Sequence, residues 1–135
     1  MASLSVIIIT RDEAENIRAC IESVQWVDEI IVVDSGSQDD TPEICRELGA
    51  QVFVHDWPGF GAQKNRALGY ASKEWILSLD ADERVTPELR DRIVSALQAA
   101  QHDGYYLPRR SQFCGKFIRQ RRTSDLTSVV LFNQR

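Results

Sequence analysis

Apolar residues along this chain fall in short dense runs, separated by stretches in which they recur every three or four positions. Leu4-Ser5-Val6-Ile7-Ile8-Ile9-Thr10 is β-branched and almost wholly apolar, which suits a central strand buried on both faces. Within residues 13–24, Ile17, Cys20, Ile21 and Val24 sit at helical spacing. Glu29-Ile30-Ile31-Val32-Val33-Asp34 predicts a second buried strand, and Ser35-Gly36-Ser37-Gln38-Asp39-Asp40 a turn-rich loop. Thr41-Pro42-Glu43 predicts a helix start, with Thr41 as N-cap and Pro42 at the first position; Gly49 ends that helix. Residues 51–55 read as a third strand, 63–71 as a short helix and Trp75-Ile76-Leu77-Ser78-Leu79-Asp80 as a fourth strand. Thr86-Pro87-Glu88 repeats the cap-and-proline start for a helix to about residue 100, and Tyr105-Tyr106-Leu107 begins another extended segment.

Strands alternating with helices imply βαβ units, hence a doubly wound α/β domain with a mostly parallel sheet and helices on both faces. In such sheets the ligand crevice lies outside the carboxyl ends of the strands. Strands one, two and four end abruptly in Thr10, Asp34 and Asp80, so three polar strand ends on one rim mark a site.

Composition narrows the class. The chain has 135 residues, 43% hydrophobic and 27% charged, enough for one domain with a single core. A net charge of −4 argues against nucleic acid as a partner. Cys20, Cys45 and Cys114 are an odd number without metal-ligand spacing; Cys20 and Cys45 fall within helix-like patterns and read as buried free thiols in a reducing compartment. The apolar run at residues 4–9 lacks a preceding basic residue and is ended by Arg11-Asp12-Glu13, unlike a signal peptide. No stretch approaches the length of a membrane span, so the expected location is cytoplasmic, with room for peripheral contact at the inner face of the cytoplasmic membrane.

Three constellations carry candidate chemistry. Asp80-Ala81-Asp82-Glu83 crowds carboxylates just past a buried strand, an arrangement that a hard cation such as Mg2+ or Mn2+ would offset; the plainer reading is that Asp82 and Glu83 begin a solvated loop. Asp34-Ser35-Gly36-Ser37 places a carboxylate before a flexible polar turn, where it could accept from a base or ribose, or cap its own loop as an Asx turn. Gly59-Phe60-Gly61-Ala62-Gln63-Lys64-Asn65 puts Lys64 near a helix start, where it could pair with phosphate or be simply solvated. Trp57, just before it, reads as packing. His55 and His102 have no partner at ligand spacing.

In their order, Ser5-Val6-Ile7-Ile8-Ile9-Thr10-Arg11-Asp12-Glu13, Val32-Val33-Asp34-Ser35-Gly36-Ser37-Gln38-Asp39-Asp40-Thr41 and the Asp80-Ala81-Asp82 DXD motif resemble family 2 glycosyltransferases of GT-A fold. Asp56-Trp57-Pro58-Gly59-Phe60-Gly61-Ala62-Gln63-Lys64-Asn65 and residues 75–83 look like a branch acting on bacterial lipopolysaccharide core, β-1,4-glucosyltransferase in type. The resemblance implies that Thr10, Glu13 and Asp34 surround the nucleoside, Lys64 and Asp80 lie near the nucleotide, and Asp82 ligates a metal, Mg2+ or Mn2+. It implies an inverting transfer of glucose from a UDP-sugar donor to a lipopolysaccharide core acceptor. No residue here matches the family's catalytic base. The resemblance covers residues 4–118 or so, which makes residues 1–118 a nucleotide-sugar-binding domain; residues 119–135 read as an atypical, truncated or disordered tail. The rival expectation is an inactive nucleotide-binding fragment lacking the acceptor half, with an exposed sheet edge that would favour self-association.

Overall fold

The computed structural model describes residues 3–99, 104–108 and 128–133. The chain runs β1 (Leu4–Thr10), α1 (Ala14–Glu22), β2 (Glu29–Asp34), α2 (Thr41–Glu47), β3 (Gln51–Val54), α3 (Phe60–Tyr70), β4 (Trp75–Ser78), α4 (Pro87–Ala99), β5 (Gly104–Pro108) and β6 (Ser128–Asn133). The strands form one sheet in the order β3-β2-β1-β4-β6-β5. β1 pairs in parallel with β2 and with β4, and β2 with β3, whereas β6 runs antiparallel to both β4 and β5. The predicted doubly wound α/β architecture is thus present, with an antiparallel pair added at one side.

Alternation along the strands divides the core between two faces, because successive side chains of a strand point to opposite sides. Val6, Ile8, Ile30, Val32 and Leu77 join Ile17, Cys20 and Ile21 of α1, Cys45 of α2, and Leu89 and Ile93 of α4 in one buried cluster. Ile7, Ile31, Val33 and Ile76 face the other way, against Ala67 of α3. A run such as Ile7-Ile8 is apolar throughout because both its faces are covered.

Several element ends differ from the sequence expectation. α2 begins at Thr41, and Asp40 takes the N-cap position without a capping side-chain bond. The Thr41 hydroxyl is occupied elsewhere: it donates to Asp39 Oδ1 (2.5 Å) and accepts from the Glu13 N–H (2.9 Å). Thr86 does cap α4, accepting from the Leu89 N–H at 3.1 Å. α3 starts three residues earlier than its periodicity suggested, after Gly59 with φ of 116°, a left-handed backbone that glycine adopts without strain. β4 ends at Ser78, so Leu79 and Asp80 already belong to the following loop. β6 lies within the segment expected to be an atypical tail, yet occupies the place between β4 and β5.

Candidate functional site

The strand order reverses beside β1: the chain passes from β1 outward to β2 and β3, then returns to place β4 on the opposite side of β1. Such a reversal opens a crevice at the carboxyl ends of the strands. A cavity of about 340 Å³ lies there, at the small end of the range for ligand pockets. Ile9, Thr10, Arg11 and Glu13 line it from the end of β1, Ser35 from the end of β2, Asp80, Ala81 and Asp82 from beyond β4, and Trp57 and Phe60 from the β3–α3 region.

Four of the six expected site residues therefore meet at one cavity: Thr10, Glu13, Asp80 and Asp82. Asp34 stands behind it. Its side chain is 0% exposed and accepts from Thr10 Oγ1 (2.6 Å), Ser37 Oγ (2.6 Å) and the N–H groups of Gly36 (2.9 Å) and Ser37 (2.7 Å). This is the Asx-type turn, with the left-handed Gly36 (φ 91°) completing it. Ser35, rather than Asp34, lines the cavity, and its hydroxyl donates to the Thr10 carbonyl at 3.3 Å.

Lys64 also sits behind the lining. Its ammonium donates to Ser78 Oγ, stands 4.0 Å from Asp80 Oδ1 and lies 5.5 Å from the centroid of the Phe60 ring. It is thus tied to Asp80, a contact the sequence reading did not include. Trp57 is 50% exposed at the cavity, which replaces the packing role expected for it. Arg11, Ser35, Trp57 and Phe60 were not among the expected site residues. The signal available for the aromatic pair was two large apolar side chains flanking Pro58-Gly59, where no helix or strand pattern needs them.

The loops on the β1–β2 side brace one another. Asp12, at φ 52°, accepts from the Gln38 N–H (2.7 Å) and its own N–H donates to Ser37 Oγ (2.7 Å). The Ala14 N–H at the start of α1 donates to Asp39 Oδ2 at 3.1 Å, so a neighbouring loop caps this helix. The Thr41 hydroxyl and further hydrogen bonds hold the Asp39 carboxyl below its ordinary pKa.

Cys20 and Cys45 are buried free thiols, as expected; Cys114 and His102 lie outside the described residues. Burial, then the charge of Glu83, drives the Cys20 thiol pKa upward, and burial followed by the charge of Asp34 raises that of Cys45 to about 12. Both are therefore poor nucleophiles. The His55 ring nitrogen shares a 2.7 Å hydrogen bond with the Tyr70 hydroxyl, away from the cavity. No described helix is long and apolar enough to cross a membrane.

Among the described residues, no group of three or more His, Cys, Asp and Glu side chains is placed to hold a metal by itself. Asp80 and Asp82 nevertheless bring two oxygen donors to an open cavity. A hard cation such as Mg2+ takes one or two carboxylates together with substrate phosphates, so this donor set fits a cation that arrives with a diphosphate.

The chain belongs to glycosyltransferase family 2: the model of Glycosyl transferase family 2 matches residues 5–134. It is 44% identical over 106 residues to an uncharacterized glycosyltransferase of Rickettsia felis, covering 78% of this chain and 38% of that protein. It is 34% identical over 134 residues to the lipopolysaccharide core biosynthesis glycosyltransferase LpsC of Rhizobium meliloti, covering 91% of this chain and 50% of LpsC. The chain thus spans at most half the length of these relatives. The fold is similar to that of glucosyl-3-phosphoglycerate synthase from Mycobacterium tuberculosis, solved with Mn2+, UDP and glucosyl-3-phosphoglycerate. That likeness has a TM-score of 0.62 and 29% identity, over 71% of this chain and 39% of the other. The expected family and GT-A fold are those found.

Proposed function

We propose that this chain supplies the donor-binding part of an inverting glycosyltransferase, holding a UDP-sugar together with Mg2+ or Mn2+. The observation that carries this reading is the cavity at the sheet's reversal point, where Asp80 and Asp82 stand with Thr10, Glu13 and Ser35. Thr10, Glu13 and Ser35 provide hydroxyl and carboxylate partners for a nucleoside. Asp34 shapes the loop that presents Ser35, and Lys64 steadies Asp80. Asp82, exposed in the turn after β4, is the ligand for the divalent ion. When bound, that ion supplies electrostatic stabilisation of the nucleoside diphosphate as it leaves. The likeness to LpsC and to a UDP- and Mn2+-bound synthase supports this donor chemistry. Glucose as the transferred sugar and lipopolysaccharide inner core as acceptor complete the proposal, with peripheral contact at the inner face of the cytoplasmic membrane.

Thermal unfolding tests the donor site. At UDP a hundredfold above Kd, with Mn2+ present, binding stabilises the fold by about 2.7 kcal/mol, and the melting temperature rises by several degrees. Without divalent metal the rise is absent, and Asp82→Ala abolishes it. No UDP-dependent rise at any metal concentration would overturn the reading. A radiolabelled sugar-transfer assay beside it separates an active enzyme from a nucleotide-binding module, which would bind without turnover.

A further inference from the structure

Glu83 has no part in the donor contacts above, yet it closes the turn that presents Asp82. Its N–H donates to the Asp80 carbonyl at 2.9 Å, and Glu83 Oε1 accepts from the Asp80 N–H, also at 2.9 Å. Residues 80–83 thus form a four-residue turn closed twice, once through the backbone and once through the Glu83 side chain. The two central residues differ sharply: Ala81 is 5% exposed and belongs to the core cluster, whereas Asp82 is exposed at the cavity. The Cys20 thiol of α1 donates to the Asp80 carbonyl at the start of the turn (3.5 Å), and two residues beyond its end the Val85 N–H donates to Ser23 Oγ of the α1 cap (2.9 Å).

We propose that Glu83 is a positioning residue, whose side-chain oxygen holds the Asp80 N–H and so keeps the Asp80 and Asp82 carboxylates directed to one cavity. Two carboxylates this close repel, and a free loop would relax by turning one of them away. Glu83 resists that relaxation through the hydrogen bond that its side-chain oxygen accepts. Glutamine keeps the accepting oxygen without the charge, so it should serve as well as glutamate; alanine should not. This role rests on the donor-site reading above.

Calorimetric titration of the full chain with UDP, with and without Mn2+, tests it in wild type, Glu83→Gln, Glu83→Ala and Glu29→Ala. Glu29 hydrogen-bonds at the opposite end of β2, so its variant controls for a loss of stability alone. The gain in UDP affinity brought by Mn2+ should fall about tenfold in Glu83→Ala, the size of effect seen when a residue orienting a metal ligand is removed. It should stay within about twofold of wild type in Glu83→Gln and Glu29→Ala. A full Mn2+ gain in Glu83→Ala, or an equal loss in Glu83→Ala and Glu29→Ala, would overturn the proposal. If wild type shows no Mn2+-dependent affinity, the donor-site reading itself fails, and hydrogen exchange at the Asp80 amide decides the role of Glu83. Faster exchange in Glu83→Ala than in Glu83→Gln and Glu29→Ala sustains it; equal rates overturn it.

Discussion

Asp34 shows how a residue at the end of a strand can shape the loop that follows it. Its carboxyl is fully buried and accepts four hydrogen bonds, two of them from the backbone of its own loop. A buried donor that loses its partner keeps its desolvation cost. Asp34→Ala should therefore destabilise the fold by about 2–4 kcal/mol, measured by urea denaturation. A side chain that only contacted a ligand would leave stability nearly unchanged, so a loss below about 0.5 kcal/mol would count against this role. Ser35 is the opposite case: it lines the cavity, with its hydroxyl held by the Thr10 carbonyl.

At the scale of elements, the amino ends of the strands are joined by Glu29. The first residue of β2, it accepts from Ser5 Oγ of β1 (2.7 Å), from the Ser72 N–H (2.8 Å) and from Ser72 Oγ (3.0 Å) in the α3–β4 connection. Burial disfavours its charge, but the Ser72 amide, the two hydroxyls and Lys73 outweigh burial and lower its pKa from 4.5. A carboxyl with a lowered folded-state pKa stabilises the fold above its unfolded pKa, and that contribution is lost as pH falls through the folded value. Wild type should thus be more stable than Glu29→Gln at pH 7, with the difference shrinking below about pH 4.5. Thermal unfolding across pH 3 to 7, on the order of one scan per half unit, checks this; a difference that persists undiminished in acid would refute the charge-based account.

For the whole molecule, β6 decides how the sheet is completed. It stands between β4 and β5, paired with both, so its removal would leave β4 with an open edge and β5 without a partner. Unpaired strand edges recruit other chains. Deleting residues 119–135 should lower the melting temperature and raise light scattering on heating, and an unchanged melting curve would show that β6 adds nothing to stability. The family match to residues 5–134 also runs through this strand.

The sequence by itself determined the β1–β4 and helix framework, because apolar runs buried on both faces and amphipathic segments are local patterns that need no knowledge of the partner. Thr10, Asp34 and Asp80 were legible as a rim for the same reason, each being a polar residue that ends an apolar run. What the sequence could not decide was which of these side chains faces the cavity. Asp34 and Ser35 are adjacent, and only the bonds from Thr10, Gly36 and Ser37 turn one inward and leave the other at the cavity. Tertiary structure alone also brought Trp57 and Phe60 to the site across the sheet, joined Lys64 to Asp80, and inserted β6 beside β4. Each of these depends on contacts between residues far apart in the chain, and no local spacing encodes them.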